Sequence, residues 1–349
     1  MHTLAAVLYG AGEPLRLQEL SIPKLKPGQI LVEVAYSGVC QSQLLEVRGK
    51  RGQDRFLPHT LGHEGSGVVL EVTPEVTKVK PGDRVVLSWI RGKGAEVGST
   101  VYASEQGAVN SGAISSFMRR AVTSENRVTP IPETMPLREA ALLGCAVPTG
   151  AGVVLNTARV RPGSSVAVFG AGGIGLSAVL AADLMNAAII IAVDVIAHKL
   201  EQAKTLGATH LVNARTQDAL ATILEITNGC GVDYAIEAAG LRETMEMAFR
   251  TVRERGGLCV LAGNLPQGQC IQLDPMELIK GKQVVGTWGG ESQPDRDIPI
   301  YVDLYQRGRL KFDRLITHSY SLAEVNQALR DLEEGKTGRG IIEMREDLA

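Results

Sequence analysis

The chain has few aromatic residues and no long apolar run. Aromatic side chains make up 4% of its 349 residues, and its most apolar stretches, such as 187-AAIIIAV-193, are far shorter than the roughly 20 residues that a membrane-spanning helix needs. The opening residues, Met1-His2-Thr3, do not resemble the start of a signal peptide. We therefore expect a cytoplasmic protein with no membrane partner.

The sequence also lacks an excess of charge of either sign. Lys and Arg total 36, Asp and Glu total 38, and the formal net charge is −2. A nucleic-acid-binding protein usually carries a basic stripe or arm, and this chain has neither. Cysteine is sparse as well. The odd number and scatter of Cys40, Cys145, Cys230, Cys259 and Cys270 argue against a disulfide framework and for reduced thiols.

The remaining composition, with 39 glycines and 44% hydrophobic residues, fits an α/β protein of two domains. Short extended segments fill the first 130 residues and predict a β-rich domain, whereas strands and helices alternate from residue 165 onward and predict a doubly wound parallel sheet. An apolar helical pattern follows over 137–155, where the composition shifts and a domain boundary is expected. Two amphipathic helices, over 298–310 and 321–335, are expected to return to the first domain. The predicted boundaries are 1–147, 148–287 and 288–349.

A glycine-rich turn begins the second domain. The stretch 170-GAGGIG-175 follows a buried strand and opens a helix, which is the context that a dinucleotide fingerprint requires, and its glycines are Gly170, Gly172, Gly173 and Gly175. Asp194 ends the next strand, close to the position of a carboxylate that binds a ribose diol. A packing turn and a helix cap are the alternatives. No arginine follows Asp194 within four residues, so NAD is preferred over NADP.

Cys40, His63 and Cys145 are the candidate metal ligands. Each alone could be a buried thiol or a turn residue, and no local spacing joins them. Catalytic zinc, however, takes three protein ligands of these types and leaves a fourth position open. Hydride transfer from an alcohol also requires stabilisation of an alkoxide, which zinc provides.

The whole chain resembles the zinc-dependent medium-chain alcohol and polyol dehydrogenases. The stretches that carry the resemblance are 37-SGVC-40, 61-LGHEGSG-67, 80-KPGDRVV-86, 144-GCAVPTG-150 and 170-GAGGIG-175. The resemblance implies a GroES-like catalytic domain beside a Rossmann domain, NAD, and one catalytic zinc held by Cys40, His63 and Cys145. It further implies roles for several neighbours: Glu64 beside the metal, Ser42 as the proton-relaying hydroxyl, Thr149 and Ile174 at the nicotinamide, Lys199 at the adenosine ribose, and Arg339 at the pyrophosphate.

Two stretches depart from the family pattern. The segment 88–113 contains no cysteine, where relatives carry four for a structural zinc, so we expect no structural zinc and a lobe held by packing or by a neighbouring subunit. Gln41 and Gln43 flank Ser42, and Gln43 replaces an aspartate that accepts a hydrogen bond from the zinc histidine. A glutamine carbonyl can accept that bond but carries no charge. Leu45 replaces a relay histidine of some relatives.

The resemblance places Trp89, Asn264 and Trp288 at the substrate pocket, although either tryptophan could instead belong to a core. With Ser42 they favour a polar or cyclic secondary alcohol or ketone. The predicted function is therefore zinc-dependent hydride transfer between NAD and such an alcohol, in a homodimer or homotetramer. Two alternatives remain: a reductase of aldehydes or activated double bonds with an altered zinc role, and a non-catalytic NAD-binding protein.

Overall fold

The computed structural model describes residues 1–344 and divides the chain into two compact units. The first comprises Met1–Cys145, Gln293–Gln306 and the described residues from Ile316 onward, and the second comprises Ala146–Ser292 and Arg307–Leu315. The first boundary lies after Cys145, where it was predicted after residue 147. The second lies after Ser292, where it was predicted after residue 287. The short segment 307–315 belongs to the second unit because Arg314 and Leu315 accept hydrogen bonds there through their backbone carbonyls, from the side chain of Gln202.

The amino-terminal part of the first unit is β-rich, as predicted. Five of its strands close into a barrel in the order β1-β2-β7-β8-β4, and the others belong to a second sheet. Its elements are β1 (His2–Leu8), β2 (Arg16–Ser21), β3 (Gln29–Gly38), α1 (Gln41–Val47), β4 (His59–Thr60), β5 (Glu64–Val72), β6 (Arg84–Ser88), β7 (Val101–Ser104), β8 (Gly107–Asn110), β9 (Arg120–Ser124), β10 (Val128–Pro130) and α2 (Leu137–Ala140).

The second unit is a six-stranded parallel sheet in the order β13-β12-β11-β14-β15-β16. Each of the first five strands in chain order, β11 to β15, is short and is followed by a helix, so the crossovers place helices against the sheet. Its elements are α3 (Ala146–Gly152), β11 (Ser165–Phe169), α4 (Gly173–Leu184), β12 (Ile189–Asp194), α5 (Ala197–Thr205), β13 (His210–Asn213), α6 (Ala219–Ile226), β14 (Tyr234–Glu237), α7 (Arg242–Thr251), β15 (Leu258–Leu261), α8 (Pro275–Ile279) and β16 (Gln283–Gly286).

The last part of the chain completes the first unit. Its elements are α9 (Pro294–Gln306), β17 (Ile316–Ser321), α10 (Val325–Glu333) and β18 (Arg339–Glu343). The second sheet of this unit runs β10-β6-β5-β3-β18-β17, with β9 also paired to β3. All ten residues of β3 are buried, because three strands pair with it. The strand that leads to Cys40 is therefore buried along its whole length and hydrogen-bonded to three neighbouring strands.

The cysteine-free lobe is held by a buried carboxylate. Glu125 is 3% exposed, and its Oε2 accepts a hydrogen bond from the N–H of Ala95 at 2.8 Å. Its Oε1 accepts from the N–H groups of Thr77 and Lys78 at 2.7 and 2.8 Å. One side chain thus fixes two loops, where packing or a neighbouring subunit was expected to do so.

A second carboxylate fixes the same lobe from another element. Asp295 of α9 accepts a hydrogen bond from the N–H of Lys93 at 2.5 Å and forms an ion pair with the ammonium of Lys78. Ser124 adds a pair of hydrogen bonds to the backbone of Val97 at 2.9 and 2.8 Å. The lobe is therefore anchored within its own unit by hydrogen bonds from loop N–H groups.

The apolar helical pattern over 137–155 does not form one continuous helix. Helix α2 passes into a 3-10 turn over Ala141–Gly144, and the chain leaves helical geometry at Cys145, with φ −152° and ψ −65°. Helix α3 begins at Ala146. After Gly152 it passes into a wider π-helical turn over Val153–Thr157. The apolar pattern could not show the break, because buried residues lie on both sides of it.

Within residues 1–344, no single helix is long and apolar enough to cross a membrane. One pair of consecutive helical segments, Leu137–Gly144 and Ala146–Thr157, is together long and apolar enough, but the two segments are bent by 56° relative to each other.

Candidate metal centre and dinucleotide site

Three side chains that are distant in sequence converge in the first unit. Cys40 follows β3, His63 precedes β5, and Cys145 follows the 3-10 turn after α2. Their ligand atoms all lie within 4.8 Å of one another. Both cysteines are 5% exposed, and the histidine is half-buried.

The donor chemistry of this cluster fits zinc. The pKa of Cys40 lies well below its ordinary value because the Cys145 thiol donates a hydrogen bond to it. Burial opposes that effect, and electrostatic interactions with His63 and Arg339 reinforce it. Two thiolates and an imidazole are suitable zinc ligands, and a set of three leaves a fourth position for a substrate oxygen.

The capping turn at the start of α1 determines how Cys40 is presented. Gln43 is 1% exposed, and its Oε1 accepts a hydrogen bond from the N–H of Cys40 at 2.7 Å. Among the described residues, no hydrogen bond joins Gln43 to the His63 ring, which was its expected partner. The glutamine therefore supports the thiol ligand instead of the histidine. Ser42 lies between them in sequence and is half-buried, whereas Gln41 is exposed.

Glu64 and Arg339 form an ion pair in the interior of this unit. Their side chains are 0% and 4% exposed. A Cβ atom on Gly38 would overlap the Glu64 carboxylate, so the glycine before Val39 and Cys40 is required by this pair. The sequence indicated both residues separately, but their pairing could not be inferred from it.

The three predicted pocket residues lie in different environments. Trp89 packs partly buried against the core of the first unit, and its backbone N–H donates a hydrogen bond to the carbonyl of His63 at 3.1 Å. Trp288 is 73% exposed, so the alternative of a core tryptophan is wrong for it within this chain. Asn264 is also exposed. Both belong to the second unit.

The glycine-rich turn has the backbone that a dinucleotide site needs. Gly170 has φ +93°, and a Cβ there would lie 2.8 Å from the N–H nitrogen of Ala239. Gly172 is the N-cap of α4 and has open space where a Cβ would be. A Cβ on Gly175 would overlap the carbonyl oxygen of Gly170. The turn therefore fits a pyrophosphate at the helix N-terminus.

Asp194 lies beside this turn and supports it. Its Oδ2 accepts a hydrogen bond from the N–H of Ala171 at 2.7 Å, and its Oδ1 accepts from the N–H of Ile196 at 2.9 Å. Each oxygen keeps a lone pair for a ribose hydroxyl. Lys199 lies in the first turn of α5, and Ile174 is the second residue of α4. Both side chains are half-buried.

Thr149 is 6% exposed, and its Oγ1 has no hydrogen-bond partner among the described residues. A buried hydroxyl without a partner is unfavourable unless a ligand provides one. Thr149 lies in α3, within the same unit as the glycine-rich turn.

Glu237 is a buried carboxyl at the end of β14 that the sequence analysis missed. It is 0% exposed, and its Oε1 accepts hydrogen bonds from Ala239, Gly240 and Thr244 at 2.9, 2.8 and 2.7 Å. Burial raises its pKa and outweighs these hydrogen bonds, which lower it. Burial, with Glu237 nearby, also raises the pKa of Cys259 to about 12. A single glutamate at the end of a strand is usually exposed, so the sequence did not indicate that Glu237 is buried.

The raised pKa of Glu237 predicts a pH dependence of stability. The folded state binds a proton more tightly than the unfolded state, whose pKa is near the ordinary 4.5. The contribution of Glu237 is therefore full below 4.5 and is lost as the pH rises through the folded pKa. Glu237→Gln should remove this loss, as measured by urea unfolding across pH, whereas exposed Glu243→Gln should retain it. Parallel profiles for all three proteins would contradict the assignment.

Comparison with known proteins agrees with this geometry. Residues 26–133 match the family model described as alcohol dehydrogenase GroES-like domain, and residues 173–307 match the model described as zinc-binding dehydrogenase. The NDMA-dependent alcohol dehydrogenase of Amycolatopsis methanolica is 37% identical, with 98% of this chain and 99% of that protein covered. The chain belongs to the zinc-dependent medium-chain dehydrogenases. The predicted GroES-like and Rossmann domains are confirmed.

Other medium-chain dehydrogenases are similarly related. The S-(hydroxymethyl)glutathione dehydrogenase of a Synechocystis species is 33% identical, with 98% of this chain and 100% of that protein covered. Among solved structures, benzyl alcohol dehydrogenase from Acinetobacter calcoaceticus is 34% identical with a TM-score of 0.90, covering 99% of this chain and 100% of that one. This medium-chain dehydrogenase is thus a zinc-dependent oxidoreductase of CH–OH donors, and its cofactor is of the nicotinamide type.

Proposed function

We propose that this dehydrogenase transfers hydride between NAD and a secondary alcohol or its ketone, with a polar or cyclic body to the substrate. The convergence of Cys40, His63 and Cys145 carries the proposal, since these residues are 105 positions apart at their extremes and serve no other evident purpose together. One catalytic zinc per subunit, and no structural zinc, belongs to the same proposal. When bound, that zinc supplies Lewis-acid stabilisation of the alkoxide.

The protein's own groups complete the chemistry. Ser42 takes the alcohol proton through its hydroxyl, since it lies two residues beyond Cys40 and is half-buried. With Leu45 in place of a histidine, the proton passes onward to a cofactor hydroxyl or to water. Gln43 holds the Cys40 backbone so that the thiolate keeps its orientation. Thr149 offers its partnerless hydroxyl to the nicotinamide carboxamide.

Support for NAD over NADP comes from Asp194. A carboxylate at the ribose accepts hydrogen bonds from a diol and repels a 2′-phosphate. The name of the Amycolatopsis relative states a dependence on NDMA, so the use of NAD as acceptor is not carried over from it. The roles of Ile174, Lys199 and Arg339 in cofactor binding, and of Trp89, Asn264 and Trp288 in the substrate pocket, stay predictions.

Asp194→Asn should shift the cofactor preference. The variant keeps one acceptor oxygen for the turn but loses the charge, so we expect kcat/KM with NAD to fall by about tenfold, corresponding to about 1.4 kcal/mol, and discrimination against NADP to relax. Asp218→Asn, which changes an exposed cap of α6 in the same unit, should alter neither value. Unchanged NAD and NADP kinetics in Asp194→Asn would show that the carboxylate does not face the ribose.

The substrate class is best tested by spectrophotometric reduction of NAD against secondary alcohols, sugars, cyclitols and aromatic alcohols. We expect turnover with polar or cyclic secondary alcohols, in protein whose zinc content has been measured. Turnover only with primary aliphatic alcohols would contradict the proposed substrate class. Zinc-loaded protein that binds NAD but oxidises none of the alcohols would contradict the catalytic proposal.

The open edge of the second unit supports a homodimer or homotetramer. Strand β16 is the last of its sheet, so its outer backbone groups are available for pairing with another strand. Val285 on this strand and Met276, Leu278 and Ile279 of α8 are exposed, at 39, 51, 42 and 76%. An exposed apolar edge of this kind is typical of a subunit interface.

A further inference from the structure

A second group of potential metal ligands lies in the first unit, and the proposed reaction does not use it. Glu46 lies on α1, Asp54 lies in the following loop, and His59 begins β4. One ligand atom of each lies within 4.8 Å of the other two. The group contains no sulfur, so its chemistry differs from that of the site at Cys40.

The ligand atoms of this group are oriented by contacts outside it. His59 Nδ1 lies 3.0 Å from the carbonyl of Thr60, which can only accept, so Nδ1 carries the hydrogen and Nε2 faces the group. Asp54 Oδ1 accepts a hydrogen bond from the N–H of Phe56 at 2.8 Å, which leaves Oδ2 facing inward. Glu46 Oε2 lies 3.7 Å from the Arg51 guanidinium, which leaves Oε1. Metal ligands are commonly held by such outer hydrogen bonds.

The inward-facing atoms of the three side chains lie close together. His59 Nε2 lies 2.7 Å from Asp54 Oδ2 and 3.9 Å from Glu46 Oε1. The 2.7 Å contact is a hydrogen bond in this structure, and a bound ion would replace it by ligating Nε2 and the carboxylate oxygens. Arg51 partly balances the charge of Glu46, and a divalent ion would balance that of Asp54 as well.

The exposure of the group suits a bound ion. The side chains of His59, Asp54 and Glu46 are 6, 18 and 30% exposed, so the group is shielded yet reachable from solvent. Strand β4 pairs with β1 and β8 of the barrel, which holds His59 rigidly.

We propose that Glu46, Asp54 and His59 form a second divalent-cation site. One imidazole and two carboxylates suit Mn²⁺ or Zn²⁺, with the remaining positions filled by water. The site is additional to the catalytic zinc and would raise the metal content to two ions per chain. A bound ion would link α1, which begins beside Cys40, to β4, which ends shortly before His63.

Mn²⁺ is the probe that separates this site from the thiolate site, which prefers zinc. Protein that holds one zinc ion per chain, at the thiolate site, should bind one Mn²⁺ per chain in a titration followed by electron paramagnetic resonance. Glu46→Gln and Asp54→Asn should each weaken this binding by about tenfold or more. Glu105→Gln, an exposed carboxylate in the β7–β8 turn, is the matched control and should bind as the unaltered protein does.

Two further measurements keep the proposal testable if a variant folds poorly. Pulsed resonance of the bound Mn²⁺ in the unaltered protein should show coupling to one imidazole nitrogen, and Cys145→Ser should lose zinc but keep Mn²⁺. No Mn²⁺ binding at millimolar concentration, or binding without nitrogen coupling, would overturn the proposal. His59 would then be only a hydrogen-bond partner of Asp54. Binding that both carboxylate variants leave unchanged would overturn it as well.

Discussion

Cys145→Ser is expected to remove zinc from the catalytic site and to lower kcat/KM for alcohol oxidation by about a thousandfold or more. The reason is that Lewis-acid stabilisation of an alkoxide contributes several kcal/mol, and about 4 kcal/mol corresponds to a factor of a thousand. Serine keeps the size of the side chain but is not a thiolate, so the donor set of Cys40, His63 and residue 145 becomes incomplete.

The matched control is Cys230→Ser, which makes the same chemical change at an exposed cysteine of the second unit. It should keep full activity and zinc content. Zinc and kcat/KM are to be measured on the same preparations, with the melting temperature as a check of folding. A Cys145→Ser protein that keeps both its zinc and its activity would show that the three donors do not hold the catalytic metal.

Much of the second unit could be predicted from sequence because its signals are local. Strand β12 (Ile189–Asp194) is an apolar run, and α4 (Gly173–Leu184) begins in the glycine-rich turn, in agreement with the predicted alternation of strands and helices from residue 165 onward. Short apolar strands between glycine turns and helices leave few alternatives for a parallel sheet. The glycines of 170–175 also act locally, since each is required by a turn or a close approach within the same unit.

The metal donors required different information. Cys40, His63 and Cys145 have no spacing rule, so the residues alone left them as candidates, and family resemblance joined them. The break of helical geometry at Cys145 was not predicted, because an apolar helical pattern has the same appearance on both sides of a break. The ion pair of Glu64 with Arg339 likewise depends on the pairing of β18 with β3. These two strands lie near opposite ends of the chain, so no local pattern predicts their contact.

The role of Glu125 shows the same limit, because a glutamate between strands reads as a surface charge. Its carboxylate instead accepts hydrogen bonds from three backbone N–H groups, at Thr77, Lys78 and Ala95. Relatives use four cysteines and a zinc ion near this lobe, and here the chain has none in 88–113. A buried anion surrounded by N–H donors can fix loops as a cation surrounded by thiolates does.

Glu125→Gln should therefore destabilise the protein by about 2–4 kcal/mol, as measured by urea unfolding. Both carboxylate oxygens accept hydrogen bonds, so an amide must turn its NH₂ group toward a backbone N–H and leave that donor unsatisfied. Exposed Glu133→Gln is the control and should change the free energy of unfolding by less than about 0.5 kcal/mol. Equal stability of the two variants would mean that the Glu125 hydrogen bonds do not hold the lobe.

The pH dependence gives an independent test of the same carboxylate. Burial raises the pKa of Glu125, but the hydrogen bonds from Ala95, Thr77 and Lys78 outweigh it, so the folded pKa lies below the ordinary 4.5. A depressed pKa contributes stability that is present above 4.5 and is lost as the pH falls through the folded value. Glu125→Gln should lack this acid-side loss. Its stability should therefore approach that of the unaltered protein at low pH, because the protonated carboxyl group also has only one good acceptor.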